Sequence, residues 1–267
     1  RYYARLSGEP EAVADGIFEH YLPRSADDML PTQFPATVVG IADRLDSIIG
    51  LFAVGLAPTA NKDPFALRRA ALGLNQILIG LDLEFDLQTA LQLAAESYDL
   101  EISDEILQNA LEFIKGRLHG VLLDKGYRYD VVEAVEQVQS SNPAKANRCA
   151  ELLNDWVQKP EWETLLPAYS RCARITRNIS ETYTLAPEVF QDPSELALYK
   201  ALKQLTPGSF EEALQAVEQL VLSINTFFDN VLVMAEDEKV RQNRLGLLQK
   251  VVGLLTPYAD LSKLEGF

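Results

Sequence analysis

Apolar residues spaced three and four positions apart leave a chain few folds to choose from, and here that spacing runs almost from end to end. It governs "ATVVGIADRLDSIIGLFAVG", "LQTALQLAAESY", "SDEILQNALEFIKGRLHGVLLDKG" and "RYDVVEAVEQVQ", whereas the strict alternation of a half-buried strand is almost absent. The expectation is an all-α, multi-domain helical protein. Helix ends are marked as well. Ser103 is placed to cap a helix whose first turn is acidic (Asp104, Glu105), and Gly126 follows Lys125 where that helix should stop.

Punctuation divides the chain into three blocks. Residues 1–86 hold "EAVADGIFEHYLP", an irregular proline-bearing connection "RSADDMLPTQFP", and the first long helix. Residues 87–143 form a helical connector that ends at "SSNP", the best boundary. Residues 144–267 form a further bundle, interrupted at "KPEW", "LAPEVFQDP" and "LTPGSF". The chain opens at Arg1 within helix-like "RYYARL" and is read as one segment of a longer product.

Composition excludes several classes. A hydrophobic content of 48% with 24% charged residues suits a folded globular chain rather than a disordered one. No apolar run is long enough to span a bilayer, so no membrane partner is expected and a cytoplasmic location is the default. Cys149 and Cys172 match no paired metal-ligand spacing and are read as reduced core thiols. Glycine-rich phosphate loops, nucleophile elbows and zinc-protease signatures are missing, and the only histidines are His20 and His119. No catalytic residue is therefore assigned.

The net charge of −15 argues against a globally basic nucleic-acid surface and gives local positive clusters their interest. In "LLPAYSRCARITRNI", Leu165, Tyr169, Cys172, Thr176 and Ile179 make one helical face, and Arg171, Arg174 and Arg177 fall opposite it. Such a ridge either contacts phosphates or is a solvated face balanced by surface ion pairs. In "PTANKDPFALRRAALG", Asp63 is an N-cap candidate with the helix starting at Pro64. Arg68 and Arg69 there either pair with carboxylates such as Asp43 and Asp46 or reach a phosphate-bearing partner.

Near the C-terminus, Val240, Leu247, Val251, Leu254 and Leu255 form an apolar stripe that includes Arg244. A buried guanidinium needs an acceptor, so Arg244 is expected to be a structural clamp. Asp229, Glu236 and above all Asp237 are its candidate partners, and Arg241 and Asn243 are left to meet solvent or RNA. His20 and Asp43, the latter within Ala-Asp-Arg-Leu-Asp, suit the downstream half of an HD-type metal-dependent phosphohydrolase or, alternatively, a structural pair. Two such ligands cannot hold a catalytic metal, so no metal is expected.

"EHYLPR", "GIADRLDSIIGLFAVGLAPTANKDPFALRRAALG" and "FFDNVLVMAEDEKVRQNRLGLL", in this order, resemble the β subunit of bacterial-type glycyl-tRNA synthetase. The resemblance covers about a quarter of the chain directly. It implies an HD-like region followed by a helical anticodon-binding domain, with glycine tRNA as partner. It also implies an α subunit, in a heterotetramer or a fused chain, that carries the adenylation site. ATP and Mg2+ would serve the whole enzyme, with no cofactor in this portion. Arg68 and Arg69 would hold the HD-like region together or face the acceptor arm. Arg171, Arg174, Arg177, Arg241 and Asn243 would contact tRNA, and His20 and Asp43 would be HD-like remnants. The rival readings are a degenerate HD phosphohydrolase with a helical partner-binding tail and a protein-interaction scaffold.

Overall fold

The structure is a computed structural model that describes residues 1–267. Twelve α-helices and two short 3-10 turns make up its regular structure, with no β-strand. The chain forms two compact units, Arg1–Tyr127 with Gln139–Arg148 and Arg128–Val138 with Cys149–Phe267.

The first unit carries α1 (Tyr2–Leu6), α2 (Glu11–Glu19), α3 (Phe34–Ala53), α4 (Leu67–Gly80), α5 (Leu87–Ala95) and α6 (Asp104–Asp124). Ile48 and Ile49 of α3 and Leu74, Ile77 and Leu78 of α4 share one core with Leu87 and Leu91 of α5 and Leu111 and Ile114 of α6. The packing therefore does not break at residue 86, because α5 and α6 supply walls of the core that α3 and α4 begin. The "SSNP" turn also belongs to this unit. The Leu87 N–H donates to the Ser141 carbonyl at 2.9 Å, Asn142 donates to Glu84 at 2.6 Å, and Arg148 pairs with Asp82 and Glu84. The caps of α6 follow the sequence pattern: Ser103 accepts from the Ile106 N–H, and Gly126 takes φ +88° just beyond Lys125.

The irregular stretch between α2 and α3 is organised by a side chain that looks unremarkable in the sequence, Arg44. It is 7% exposed, and its guanidinium donates to the carbonyls of His20, Tyr21, Leu22 and Pro23 at 2.9 to 3.3 Å and to that of Gly40 at 2.7 Å. A chain with no helix over these residues would otherwise bury carbonyls without donors. Burial pushes the Arg44 guanidinium below the usual arginine range while the neighbouring Asp43 opposes the shift. Arginine nevertheless keeps its proton in proteins. The arrangement needs close approach, because a Cβ on Gly40 would lie 2.8 Å from the His20 carbonyl oxygen.

In the second unit, α7 (Tyr129–Gln139) and α8 (Pro143–Trp156) contribute their segments 128–138 and 149–156, followed by α9 (Trp162–Thr176), α10 (Pro193–Lys203), α11 (Phe210–Asn230) and α12 (Glu238–Val252). Ala168 and Cys172 of α9, Leu198 of α10, Leu220, Ile224 and Phe227 of α11 and Leu247, Leu248 and Val251 of α12 form its core. Burial pushes the Cys172 thiol up to about 12, as suits an inert core thiol. The C-terminal segment folds back on α7: the Asp260 N–H donates to the Ala134 carbonyl at 2.8 Å, and the Glu265 N–H donates to the Asp130 carboxylate at 2.9 Å.

Removing the Arg44 donors should loosen the first unit selectively. Arg44→Met is expected to cost about 3 kcal/mol by orphaning buried carbonyls, and Gly40→Ala about 1–3 kcal/mol by overpacking. Hydrogen-exchange mass spectrometry should show protection lost over α2–α4 and retained over α9–α12; retained protection in α3 would contradict this role.

Candidate RNA-binding face

The expected ridge lies on α9. Leu165, Tyr169, Cys172 and Thr176 are buried, Ile179 is half-buried just beyond the helix, and Arg171, Arg174 and Arg177 are exposed. Arg171 stacks over the Phe228 ring at 4.2 Å from its centroid and donates to Asn225 at 3.3 Å. Arg174 sits 5.5 Å from the Phe267 centroid, and Arg177 caps the helix C-terminus, where unpaired carbonyls favour a cation. None of the three forms a salt bridge.

That distinguishes them from most other arginines of the chain. Arg1, Arg5, Arg24 and Arg148 pair with carboxylates near the surface, and Arg128 pairs with the buried Asp130. In a protein with net charge −15 acidic partners are plentiful. The ridge is thus not neutralised by surface ion pairs, and apart from the Arg171–Asn225 contact its guanidinium edges stay open to external acceptors while Phe228 and Phe267 hold two of the flat faces.

Other sequence-nominated residues lie elsewhere in the structure. Asn243 is 4% exposed; its carbonyl accepts from the Ala186 N–H at 2.8 Å and its amide donates to the Ala186 carbonyl at 3.1 Å. One helical turn on, Gly246 admits the backbone of Tyr183, whose carbonyl oxygen a Cβ would approach to 3.0 Å. Gln249 then brackets the same segment, accepting from the Tyr183 N–H at 3.1 Å and donating to the Glu181 carbonyl at 2.7 Å. Asn243, Gly246 and Gln249 grip an extended segment as a strand neighbour would, so Asn243 is not available to RNA. Arg241 is half-buried and donates to the Ala235 carbonyl at 3.0 Å.

Arg244 is a clamp, but on a different partner. Its Nε donates to Glu195 at 2.5 Å and its Nη1 to the Leu232 carbonyl at 2.8 Å. Glu195 is 1% exposed, and its second oxygen accepts the N–H groups of Gln191 and Asp192, completing the capping box that starts α10. Asp237 instead caps α12 by accepting from the Val240 N–H at 3.0 Å. It is committed locally, seven residues before Arg244 at the start of the same helix.

In the first unit, Asp63 does cap α4, but its carboxylate takes the N–H groups of Leu67 and Arg68 at 2.8 and 2.9 Å. The helix begins at Leu67 rather than Pro64, because Ala66 adopts a left-handed conformation (φ +57°) that interrupts it. Arg68 is half-buried; it donates to the Thr59 carbonyl at 2.5 Å and lies 3.9 Å from Asp63, rather than pairing with Asp43 or Asp46. Asp46 accepts from the Tyr98 hydroxyl at 2.8 Å. Arg69 is exposed with no protein partner. The His20 Nδ1 lies 3.1 Å from the Gly16 carbonyl oxygen, Asp43 is exposed, and no three His, Cys, Asp or Glu side chains cluster as metal ligands would. The residues present do not fit an HD metal centre.

The second unit carries the class assignment: residues 165–261, which include the ridge, match the model of the DALR anticodon binding domain. Residues 1–137 match the glycyl-tRNA synthetase beta subunit model, and the chain belongs to that family. Among curated relatives, the glycine–tRNA ligase beta subunit of Moorella thermoacetica is 39% identical over 98% of this chain, and those of Desulforamulus reducens and Myxococcus xanthus are each 37% identical over 99%. The chain spans about 40% of the length of each of these relatives. No helix is long and apolar enough to cross a membrane.

The two kinds of arginine should respond differently to truncation. Glu195→Ala strands Arg244 and two backbone N–H groups and is expected to destabilise the second unit by about 3–5 kcal/mol. Arg177→Ala should change stability by less than about 0.5 kcal/mol. Urea unfolding followed by circular dichroism checks both, and equal costs would contradict the division.

Proposed function

We propose that the chain is the tRNA-binding portion of the β subunit of a glycine–tRNA ligase, supporting ATP-dependent attachment of glycine to its tRNA in the cytoplasm. The observation that carries the reading is the ridge of Arg171, Arg174 and Arg177, without carboxylate partners, on a helix of the anticodon-binding type. Guanidinium groups in such a row meet successive phosphates of an RNA loop and set its register, while base identity is read elsewhere. The α subunit, in a heterotetramer or fused to β, carries the adenylation site and uses ATP and Mg2+. This portion supplies RNA affinity and no catalytic group. Arg69, exposed and unpaired, is a further candidate phosphate contact near the acceptor arm, whereas Arg68 is largely occupied by the Thr59 carbonyl and Asp63.

Neutralising phosphates releases counterions, so binding through the ridge is expected to weaken with salt. Titration of the chain with glycine tRNA and with a non-cognate tRNA over a salt series should show tighter cognate binding. The Arg171→Glu/Arg174→Glu/Arg177→Glu variant should lose that binding, and milder Ala replacements should flatten the logarithmic salt slope by about two. A variant identical to wild type would remove the ridge from the interface.

A further inference from the structure

A cavity of about 450 Å3 opens in the second unit where residues 182–185 pass α10 and the end of α12. Tyr183, Leu185, Tyr199, Leu202 and Leu254 give it apolar and aromatic walls, and its only charged lining residues are Lys203 and Lys250. Both lysines lie in the last turn of their helices, where unpaired carbonyls favour a cation, and neither meets a carboxylate. The Lys203 Nζ sits 5.1 Å from the Tyr199 ring centroid. The extended segment at the cavity is paired along one edge alone. Gln249 and Asn243 occupy backbone groups of Glu181, Tyr183 and Ala186 on the α12 side. Alternate residues of an extended chain direct their N–H and C=O groups to opposite sides. Thr182 and Thr184, which also line the cavity, are exposed, and their N–H and C=O groups have no protein partner.

Each part of this arrangement selects for one feature of a partner. An unpaired extended edge is a template for another chain, because its alternating donors and acceptors match those of a second extended backbone. The cavity beside it has apolar walls for a large side chain, and the two ammonium groups call for a carboxylate. Side chains two positions apart on a strand share a face, so the apolar residue and the acid would stand at i and i+2 of the incoming chain. We propose that residues 182–184 accept an extended peptide segment of another protein by strand addition. Its aromatic or large aliphatic residue would fill the cavity, and its Asp or Glu two positions along would meet Lys203 and Lys250. This partner is distinct from tRNA, and the inference does not rest on the tRNA-binding reading.

The probe is the end-blocked peptide Thr-Phe-Thr-Glu-Thr, titrated into the isotope-labelled chain and followed by amide NMR shifts. Saturable shifts are expected at Thr182, Thr184, Lys203 and Lys250. N-methylation of alternate peptide amides separates strand addition from burial of the ring alone: one alternate set should abolish binding and the other should leave it. Thr184→Pro removes an N–H that the fold does not use and should weaken binding about two- to tenfold, the range for one hydrogen bond. The Lys203→Glu/Lys250→Glu variant should lose the Glu peptide and bind Thr-Phe-Thr-Lys-Thr instead, a reversal that a misfolded protein could not give. The Arg171→Glu/Arg174→Glu/Arg177→Glu variant should bind the Glu peptide as wild type does. Absence of saturable shifts, equal effects of the two methylated sets, or an unchanged charge preference in the lysine variant would overturn the proposal. Shifts of the same amides by an oligouridylate but not by the peptide would assign the edge to RNA and overturn it as well.

Discussion

A buried guanidinium cannot be left without acceptors, and each unit of this protein is built around meeting that demand. Arg44 gathers the carbonyls of residues 20–23 and so gives shape to a connection that has no secondary structure of its own. Arg244 meets a carboxylate that is already capping α10 and a carbonyl from the segment before α12. In both cases one side chain ties its own helix to chain outside it, residues 20–23 for Arg44 and the start of α10 with Leu232 for Arg244. Desolvating such a group is costly, and the dense set of bonds around it offsets that cost. A vacancy in either place would be felt by every element it joins.

The same chemistry explains why the α9 ridge stands apart. Arginines here fall into those buried against carbonyls or a buried carboxylate, those paired with carboxylates nearer the surface, and those held against aromatic rings or left in solvent. Only the last kind keeps its hydrogen-bonding edges available. Phe228 and Phe267 restrict Arg171 and Arg174 without consuming their donors, so less side-chain freedom remains to be lost when an anion arrives. A row of partly ordered cations on an acidic protein suits a partner that is itself strongly anionic. Acidic surroundings weaken unspecific attraction and leave the local row to decide the encounter.

Much of this was legible in the sequence, and the failures have common causes. Periodicity identified the helices, the apolar face of α9 and the arginines opposite it, because each is a relation among residues on one element. Ser103 and Gly126 were legible for the same reason. Glu195 was missed as the partner of Arg244 because it lies 49 residues away, whereas the acids near Arg244 were committed to local caps or surface positions. The break expected at residue 86 reflects loop composition, while the core that joins α5 and α6 to α3 and α4 depends on contacts no local pattern records. Ala66 moved the start of α4 although Asp63 kept its capping role. Asn243 did leave a signal: with Gly246 and Gln249 it forms a row at three-residue spacing beside the buried apolar residues of α12, as expected where backbone rather than side chains packs against it.

On the proposed reading, charge is divided between arginines that hold the protein together and arginines left open to RNA. Arginine-selective modification with phenylglyoxal, read residue by residue by mass spectrometry with and without saturating glycine tRNA, tests that division directly. Arg44 and Arg244 are expected to resist the reagent in both conditions, whereas Arg171, Arg174 and Arg177 should react in the free protein and be protected by the tRNA. Equal reaction of the three ridge arginines in both conditions, under salt where binding is measured to occur, would contradict it.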